Sequence, residues 1–465
     1  MRENSMVTES RHEAATATYR RNLGNGLVLR WSTAADTANI AQFVGLVFRD
    51  KESDPPNEYL AGEVYELMSD THPLMRSGDY GVVEDTRKEG NPIVACTCLW
   101  RNLWEYEGIP FEMGQPEIVA TDPNYRNKGL VRALFEMVQA RSESEGHMVQ
   151  AITGIPYFYR QFGYEYALDL SGKRVVYTSQ IPQAKEGEAE AYMMRDATVD
   201  DVPTLQNIYS YRRKVGVVAA DVPDKYWLYE MQRVSTAKEK FPRVKMIVDA
   251  TGAVCGYAFV SARRYKPGNN FDVYTLDVLP GANLRAMLPP ILRTLHAYGS
   301  QLPIRNVTEQ VPLTEISFNL GRSHPVYDAL GTGLAPFYEA PYAWYIRVRD
   351  VPVFLRHIAP VLERRLAASV VAGYTGEIKI DMYKGGLRMV FEQGKLTTAE
   401  HWRVPVYDSN AGAGFPPLVF LQLLFCHRSL DELRYAFPDV WAEGDAEIVL
   451  KALFPAQFSV PMLFF

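Results

Sequence analysis

The chain has 465 residues, of which 47% are hydrophobic and 22% are charged, a composition typical of globular rather than disordered proteins. Its length predicts about three domains. The formal net charge of −6 disfavours a nucleic-acid or anionic-membrane partner and permits a cationic small substrate. The longest apolar run, Phe415–Phe425, is too short to span a bilayer, so we expect no membrane partner.

The amino-terminal segment, residues 1–25, is polar and contains no apolar stretch of the kind found in signal peptides. We expect this segment to be mobile. The four cysteines are scattered, which favours reduced thiols. Together these features predict a cytoplasmic protein.

A stretch near the start of the chain recurs later. Residues Arg30–Val44 align with Arg195–Tyr209 at one fixed offset, and both copies contain Thr-x-x-Asp, a capping box that starts a helix. The polar segment Ser179–Ala191 separates the copies. We therefore expect two similar domains, at residues 26–182 (the first repeat) and 190–345 (the second repeat).

The first repeat contains a junction between a strand and a helix with a basic glycine loop between them. Residues Glu117–Pro123 predict a strand ending in an Asp-Pro breaker, and the apolar spacing from Leu130 onward predicts an amphipathic helix. Backbone NH groups at a helix start lack acceptors, so a loop with Arg126, Lys128 and Gly129 can bind a phosphate. Neither the P-loop nor the dinucleotide-binding spacing is present.

The second repeat has the same junction in a shortened form. Its Leu279-Pro280 aligns with Asp122-Pro123, but only Gly281–Asn283 stands where the first repeat has Asn124–Leu130. We therefore expect no phosphate site in the second repeat.

The remaining chain, residues 346–465, predicts a third domain. Its apolar positions indicate an amphipathic helix over Val351–Leu366, followed by strands that alternate around turns at Gly385-Gly386 and Gly394. The segment from Ser429 predicts a capped helix.

Two motifs in the first repeat resemble the GNAT N-acetyltransferases. The run from Arg126 to Val131 is similar to their acetyl-CoA loop, with Val where the family has Gly or Ala, and Tyr159–Tyr164 is similar to their Tyr-x-x-Phe-Gly-Tyr motif. Two such domains followed by a sterol-carrier-protein-2-like domain resemble the enhanced intracellular survival family of acetyltransferases. The resemblance implies an α+β fold in which two tandem GNAT domains, each a mixed sheet flanked by helices, precede that third domain.

The resemblance also implies a set of site residues. Tyr159 would be the general acid, since a phenol is protonated at neutral pH, and the terminal α-carboxylate of Phe465 would be the general base. No metal is expected. The residues implied to bind acetyl-CoA are Val119, Thr121, Arg126, Asn127, Lys128, Gly129, Leu130 and Val131.

Several assignments stay open at the level of the sequence. Glu117 and Glu165 are alternative bases only because they lie near the motifs. The acidic stretch Asp50–Asp70 either forms a negative rim for a cationic acceptor or is a solvated helix face. The aromatic residues of the following hairpin either line an acceptor cleft or pack in the core; they are Trp100, Trp104 and Tyr106.

The sequence therefore predicts a cytoplasmic, homo-oligomeric, acetyl-CoA-dependent N-acetyltransferase. The acceptor is expected to be a cationic small-molecule or peptide amine that attacks directly in a ternary complex. The alternative is a binding protein with an apolar ligand in its third domain and a regulatory or vestigial acetyl-CoA site. Retention of Arg126 and Gly129 favours the enzyme, because a vestigial site should have lost them.

Overall fold

The computed structural model describes residues 13–90, 92–184, 186, 187, 189–236, 242–265, 267–305, 307, 309–403, 410–459 and 461. Contacts between Cα atoms divide the chain into two compact units. The first unit comprises Met1–Ala167 and Trp344–Ala456, and the second comprises Leu168–Ala343 and Gln457–Phe465. The domain boundaries given above stay predictions.

The chain alternates between strands and helices throughout. The strands are β1 (Arg20–Gly24), β2 (Leu27–Trp31), β3 (Tyr80–Asp85), β4 (Ile93–Tyr106), β5 (Ile109–Thr121), β6 (Val149–Ile152), β7 (Glu165–Leu170), β8 (Lys173–Tyr177), β9 (Tyr192–Asp196), β10 (Val218–Asp221), β11 (Arg243–Asp249), β12 (Val254–Val260), β13 (Asn270–Val278), β14 (Glu315–Phe318), β15 (Phe337–Glu339), β16 (Tyr342–Val348), β17 (Gly376–Asp381), β18 (Gly386–Glu392), β19 (Lys395–Trp402), β20 (Ala413–Gly414) and β21 (Trp441–Ala442). The α-helices are α1 (Thr37–Val47), α2 (Glu58–Leu67), α3 (Leu130–Ser144), α4 (Val202–Arg213), α5 (Asp224–Thr236), α6 (Leu284–Gln301), α7 (Pro325–Leu334), α8 (Val351–His357), α9 (Ala359–Ala367), α10 (Phe420–Leu424), α11 (Leu430–Ala436) and α12 (Gly444–Leu453).

The first sheet has the strand order β1-β2-β3-β4-β5-β6-β16-β7 and lies between two helical layers. Alternate residues of its strands face opposite sides, as the pleat requires. Val82 and Cys96 pack with helices α1 and α2, whereas Val83 and Ala95 pack with Leu134 of α3. The second sheet, β15-β8-β14-β13-β12-β11-β9, repeats this plan, because β13 and β14 are parallel like β5 and β6 and enclose helix α6 in the chain.

The repeated capping box forms the same set of bonds in both repeats. Arg30 binds Asp36 with two hydrogen bonds of 2.7 and 2.9 Å, and Arg195 binds Asp201 with two of 2.7 and 2.8 Å. In each copy the aspartate also accepts the threonine backbone NH at 2.8 Å. The predicted fold class is confirmed: several mixed sheets flanked by helices, consistent with tandem GNAT domains and a carboxy-terminal α+β region.

The carboxy-terminal region has the sheet β19-β18-β17-β20-β21 and five helices among its described residues. The glycine turn at Gly394 and the helix capped by Ser429 are as predicted. The single helix expected over Val351–Leu366 is wrong, because the helix breaks at Ile358 into α8 and α9. Pro360 explains the break, since it lacks an NH and its ring crowds the preceding turn.

The described part of the amino-terminal segment contains a strand. Residues 1–12 lie outside the described residues, but strand β1, within the segment expected to be mobile, pairs with β2. Arg20 binds Glu84 at 2.6 Å, which ties this strand to the sheet.

Candidate active site

A bulge in strand β5 opens the sheet at the predicted site. Cys96 pairs with Ala120 and Cys98 with Glu117, so the partner strand has one residue fewer between these pairs. Ile118 has φ = +52°, which is rare for a β-branched residue and typical of functional sites. The pairing of β5 with β6 ends at Gly114 and Gln150, well before β5 itself ends. The two strands are therefore no longer paired beside Val119, one of the residues implied to bind acetyl-CoA.

The loop after β5 is bent by two residues with left-handed backbone conformation. Asn127 has φ = +60° and Gly129 has φ = +73°. The loop residues 126–129 are exposed, and a Cβ added to Gly129 would meet nothing within 4 Å. Gly129 is the N-cap of α3, so no side chain of that residue caps the first NH groups of the helix. This arrangement fits a pyrophosphate, because the ligand can approach the backbone closely.

Basic side chains surround the same loop. The ammonium groups of Lys128 and Lys88 lie 4.6 and 5.1 Å from the centre of the Tyr125 ring. The Tyr125 hydroxyl donates to Asp85 at 2.7 Å, which fixes the ring. Lys88 was not predicted, because it lies far from the motif in sequence and joins the loop only through Tyr125.

Tyr159 lies in an aromatic cluster that brings the predicted parts together. It is 3% exposed, with its ring centre 5.6 Å from that of Phe135 and 5.3 Å from that of Tyr345. Val119 from the strand and Val131 from the start of α3 pack against the same cluster. The strand, the loop and the tyrosine motif are therefore neighbours in space.

The hydroxyl of Tyr159 differs from those of the neighbouring tyrosines. Tyr164 donates to Gln150 at 2.6 Å, and the hydroxyls of Tyr166 and Tyr345 share a bond of 2.6 Å. Among the residues that the structure describes, none accepts a hydrogen bond from Tyr159. Burial raises the pKa of its phenol, and the charge of Glu117 adds to that effect, so the hydroxyl keeps its proton. The Tyr159 hydroxyl is therefore protonated, and no described neighbour accepts a hydrogen bond from it.

Tyr345 is a site residue that the sequence analysis missed. It lies on β16, which joins the first sheet between β6 and β7, and its hydroxyl also donates to the Ile155 carbonyl at 3.1 Å. No sequence signal links this strand to a sheet formed by residues almost two hundred positions earlier, because only the tertiary fold brings them together.

Glu117 is the carboxylate with the properties of a base. Burial raises its pKa to about 7, the negative charge of Glu63 acts in the same direction, and a hydrogen bond from Gln115 at 2.9 Å opposes the shift. It stands directly before the bulge residue Ile118, and its charge acts on Tyr159. A carboxyl with a pKa near neutrality can accept a proton at the pH of the cell.

The other proposed bases compare less well. Glu165 is buried and its Oε2 lies 2.7 Å from Arg160, so its charge is already paired. Phe465 lies outside the described residues.

Two residues of the acidic stretch Asp50–Asp70 have different surroundings. Asp70 accepts hydrogen bonds from the backbone and side chain of Ser77, which lower its pKa and hold a loop. Glu63 of α2, in contrast, is close enough to Glu117 for its charge to act there. One member of the stretch therefore contributes charge to the site, and another is structural.

The three aromatic residues of the hairpin also differ in their surroundings. Trp104 packs edge-on against Trp344 with ring centres 5.5 Å apart, and Tyr106 donates to the Leu424 carbonyl at 2.8 Å. Both are core residues. Trp100 is half-buried and packs with Ile118 on the side of the sheet that carries α1 and α2, so it alone can line an acceptor cleft.

Within the described ranges, no cluster of three or more histidine, cysteine, aspartate or glutamate side chains could hold a metal ion. The same part of the chain has no helix long and apolar enough to cross a membrane.

Comparison with known proteins gives a family match for the part of the chain that contains the candidate site. A family model described as acetyltransferase (GNAT) domain matches residues 29–167, the span that contains the bulge, the loop and Tyr159. The bulge, the loop and Tyr159 therefore lie in a segment that is similar to GNAT domains. No curated protein matches the chain. The family match supports an acyltransferase, and GNAT domains use acetyl-CoA.

Solved structures share the fold over nearly the whole chain. A probable N-acyltransferase of unknown function from Enterococcus faecalis V583 matches with a TM-score of 0.66 and 14% identity, covering 94% of this chain and 99% of its own. A GCN5-related N-acetyltransferase from Kribbella flavida gives 0.62 and 15%, with 97% and 100% covered. Eis1 from Mycobacterium abscessus gives 0.57 and 14%, with 93% and 99% covered. At these identities the likeness shows the fold alone, and the sterol-carrier-like character of the third domain stays a prediction.

Proposed function

We propose that the GNAT domain transfers an acetyl group from acetyl-CoA to a primary amine, by direct attack of the amine in a ternary complex. The observation that carries this proposal is the meeting of three elements: the bulged strand, the uncapped helix start at Gly129 and the unbonded hydroxyl of Tyr159. A binding protein would need the loop but not the free phenol.

The loop residues would bind the pyrophosphate through backbone NH groups from 126 to 131, with charge from Arg126 and Lys128. Val131 stands where the family has Gly or Ala, which tightens the approach to the pyrophosphate at that point, yet its backbone NH is still offered there. The NH groups of Val119 and Thr121 lie on β5 beyond its pairing with β6 and are available to hold and polarise a carbonyl oxygen. Acetyl-CoA, once bound, supplies a thioester whose carbonyl carbon an amine can attack.

Two proton transfers remain for the chain's own side chains. Glu117 accepts the proton that the amine loses as its nitrogen bonds to the carbonyl carbon, directly or through one water. Tyr159 donates its proton to the sulfur as the carbon–sulfur bond breaks. The carboxylate of Phe465 stays an alternative base, and adding one glycine after it would move that carboxylate by about 3.5 Å.

The acceptor is proposed to be cationic. The carboxylates of Glu63 and Glu117 act on each other, so the site gains free energy when an ammonium group lies between or beside them. Trp100 offers an apolar surface on the same side. The homo-oligomeric assembly and the cytoplasmic location stay predictions.

The test is a screen for amine-dependent thiol release from acetyl-CoA. Aminoglycosides, polyamines and lysine peptides would be compared, with a reaction lacking amine to measure hydrolysis. We expect at least one class to raise thiol release in the parent and none to do so in Gly129→Glu. Thiol release that no amine stimulates in the parent would contradict the proposed transfer.

A further inference from the structure

Strand β4 supplies three side-chain donors to the two carbonyl groups of the bulge. The Thr97 hydroxyl donates to the Glu117 carbonyl at 2.9 Å, and the Cys98 thiol donates to the same oxygen at 3.4 Å. The Cys96 thiol donates to the Ile118 carbonyl at 3.8 Å. A carbonyl oxygen has two lone pairs, so Thr97 and Cys98 together can satisfy the Glu117 oxygen without a backbone donor.

These three donors are buried and keep their protons. Each of the side chains is 0% exposed. Burial raises the pKa of both thiols, which therefore stay neutral at pH 7. Cys96 and Cys98 pack on the side of the sheet that carries α1 and α2, and side chains alternate along a strand, so Thr97 approaches from the other side. The Glu117 carbonyl is thereby held from both faces of the sheet.

The held carbonyl fixes the direction of the next backbone NH. A trans peptide is planar, so its C=O and N–H point in opposite directions. Because the Glu117 carbonyl is bonded to side chains of β4, the Ile118 NH points away from β4. Burial is the main influence on the pKa of Glu117 and raises it, whereas a hydrogen bond from the Ile118 NH to the carboxylate opposes that rise. The peptide plane therefore links the Thr97 hydroxyl to the Glu117 side chain.

The second repeat lacks this set of donors. Its strand β13 has an irregular register opposite Phe259 and Val260, whose side chains have no hydrogen-bond donor. Every residue of β13 is described, and none has the positive φ of Ile118. The donors and the left-handed bulge residue thus occur in the repeat that has the carboxylate of Glu117.

We propose that Thr97 and Cys98 are positioning residues for the proton transfer, because they hold the peptide whose NH fixes the Glu117 carboxylate. Thr97 has the larger part, since an S–H donor is weaker than an O–H donor. Cys96 acts in the same way on the next peptide and directs the Val119 NH away from β4, to the side where β5 no longer pairs with β6. The inference rests on the proposed role of Glu117 as the base.

The titratable groups that act on or with Glu117 come from three elements. The negative charge of Glu63 on α2 raises the pKa of Glu117, and Glu117 in turn raises the pKa of the Cys98 thiol on β4 and of the Tyr159 phenol. Both of these groups are neutral at pH 7, because burial raises their pKa values further. Among these groups only Glu63 adds a charge, and a substitution of Thr97 does not remove it. A changed titration of Glu117 in a Thr97 variant therefore reports on the peptide.

Replacement of Thr97 by valine and by serine tests the proposal. Valine keeps the branched shape but removes the hydroxyl, whereas serine keeps the hydroxyl. We expect Thr97→Val to move the rise of kcat/KM to higher pH by roughly half a unit or more, because the carboxylate loses a stabilising NH. Thr97→Ser should keep the midpoint of the parent. Cys98→Ala, which removes the weaker donor, should give a smaller shift in the same direction.

Ser142→Ala is the matched control. Its hydroxyl is also 0% exposed and lies 2.9 Å from Nδ1 of His147. Loss of this bond should lower the melting temperature, as loss of the Thr97 hydroxyl does, but leave the midpoint of the pH profile unchanged. Equal midpoints in the parent and Thr97→Val would overturn the proposal. Shifts in Thr97→Ser or Ser142→Ala as large as that in Thr97→Val would also overturn it.

A titration without turnover separates this inference from the proposed function. The NMR signal of the Glu117 carboxyl carbon, assigned in isotope-labelled protein by its loss in Glu117→Gln, would be followed against pH in the parent and in Thr97→Val. A higher midpoint in the variant supports the positioning role whether or not an amine stimulates thiol release. The same midpoint in both chains would contradict the positioning role at any level of activity.

Discussion

The two repeats share a scaffold and differ at one helix start. Both form the same arginine–aspartate capping box and the same crossover between parallel strands. In the first repeat, α3 begins at Gly129 without a side-chain cap, whereas in the second, Asn283 accepts the backbone NH of Ala286 at 3.1 Å. A helix whose first donors are already bonded to its own chain cannot offer them to a phosphate. The shorter connection of the second repeat therefore keeps the fold but offers no uncapped helix start.

The difference extends to the acid–base groups. Glu117 has a pKa raised to about 7 beside the bulge, but its counterpart by position is Tyr274, which lines a cavity. A phenol with a pKa of about 10 is a poor base at neutral pH. The second repeat thus lacks both the basic glycine loop and a carboxylate in the position of Glu117, so we expect one catalytic centre per chain.

The largest expected effect is on acetyl-CoA binding, and it is tested at two glycines with similar backbone conformation. Gly129 and Gly281 have φ of +73° and +85°, and an added Cβ would meet nothing within 4 Å at either. Both glutamate variants thus carry similar backbone strain, but only Gly129→Glu puts a negative charge against the pyrophosphate. We expect calorimetry to find one acetyl-CoA site per chain, weakened by at least about 10³-fold in Gly129→Glu and unchanged in Gly281→Glu. Two sites, or equal loss in both variants, would remove the distinction between the repeats.

The next effect is on the rate and its pH dependence. A base must be deprotonated, so kcat/KM of the parent should rise with pH and level off above about 7, the pKa of Glu117. Glu117→Gln should lower kcat by roughly 10³-fold and remove that rise. Glu63→Gln, which removes a negative neighbour, should instead move the rise to lower pH. If the pH profile of kcat/KM has the same shape in Glu117→Gln as in the parent, Glu117 is not the base. Phe465 would then be the proposed base, and the glycine extension should slow the enzyme.

A smaller loss is expected for Tyr159→Phe. Removing the unbonded hydroxyl should lower kcat by about 10²-fold with little effect on acetyl-CoA affinity. Tyr164→Phe, in the same cluster, removes a hydroxyl that is already bonded to Gln150. It should reduce the melting temperature but not kcat. Equal kcat in parent and Tyr159→Phe would make Tyr159 a packing residue.

The sequence predicted the local structure around the candidate site. The helix start after Gly129 and the two capping boxes are set by neighbouring residues and are present in the structure, whereas the binding roles of Arg126 to Val131 stay predictions. Tyr345 could not be predicted, because its strand enters the first sheet from the far end of the second repeat. Glu117 was only an alternative base at the level of the sequence, since its raised pKa depends on burial and on Glu63, which no spacing reveals. The break at Ile358 could have been predicted from the sequence. The apolar spacing favoured one continuous helix, and the effect of Pro360 was overlooked.

The smallest expected effect concerns the feature that the repeats share. Hydrogen bonds from Arg195 and Thr198 lower the pKa of Asp201 to about 2, against an unfolded value of about 3.9. A lowered pKa adds stability that is present above pH 4 and is lost as pH falls through about 2. Asp201→Asn should therefore cost about 1–2 kcal/mol at pH 7 and lose less stability than the parent between pH 4 and pH 2. Urea unfolding at pH 7, 4 and 2 measures both the cost and its pH dependence, with the exposed neighbour Asp200→Asn as the control.

Asp36→Asn in the first repeat should show the same pattern, since burial opposes ionisation there but the bonds from Arg30 and Thr33 still hold the pKa below its usual value. A pH-independent loss in either repeat would mean that the aspartate acts through packing rather than through its charge.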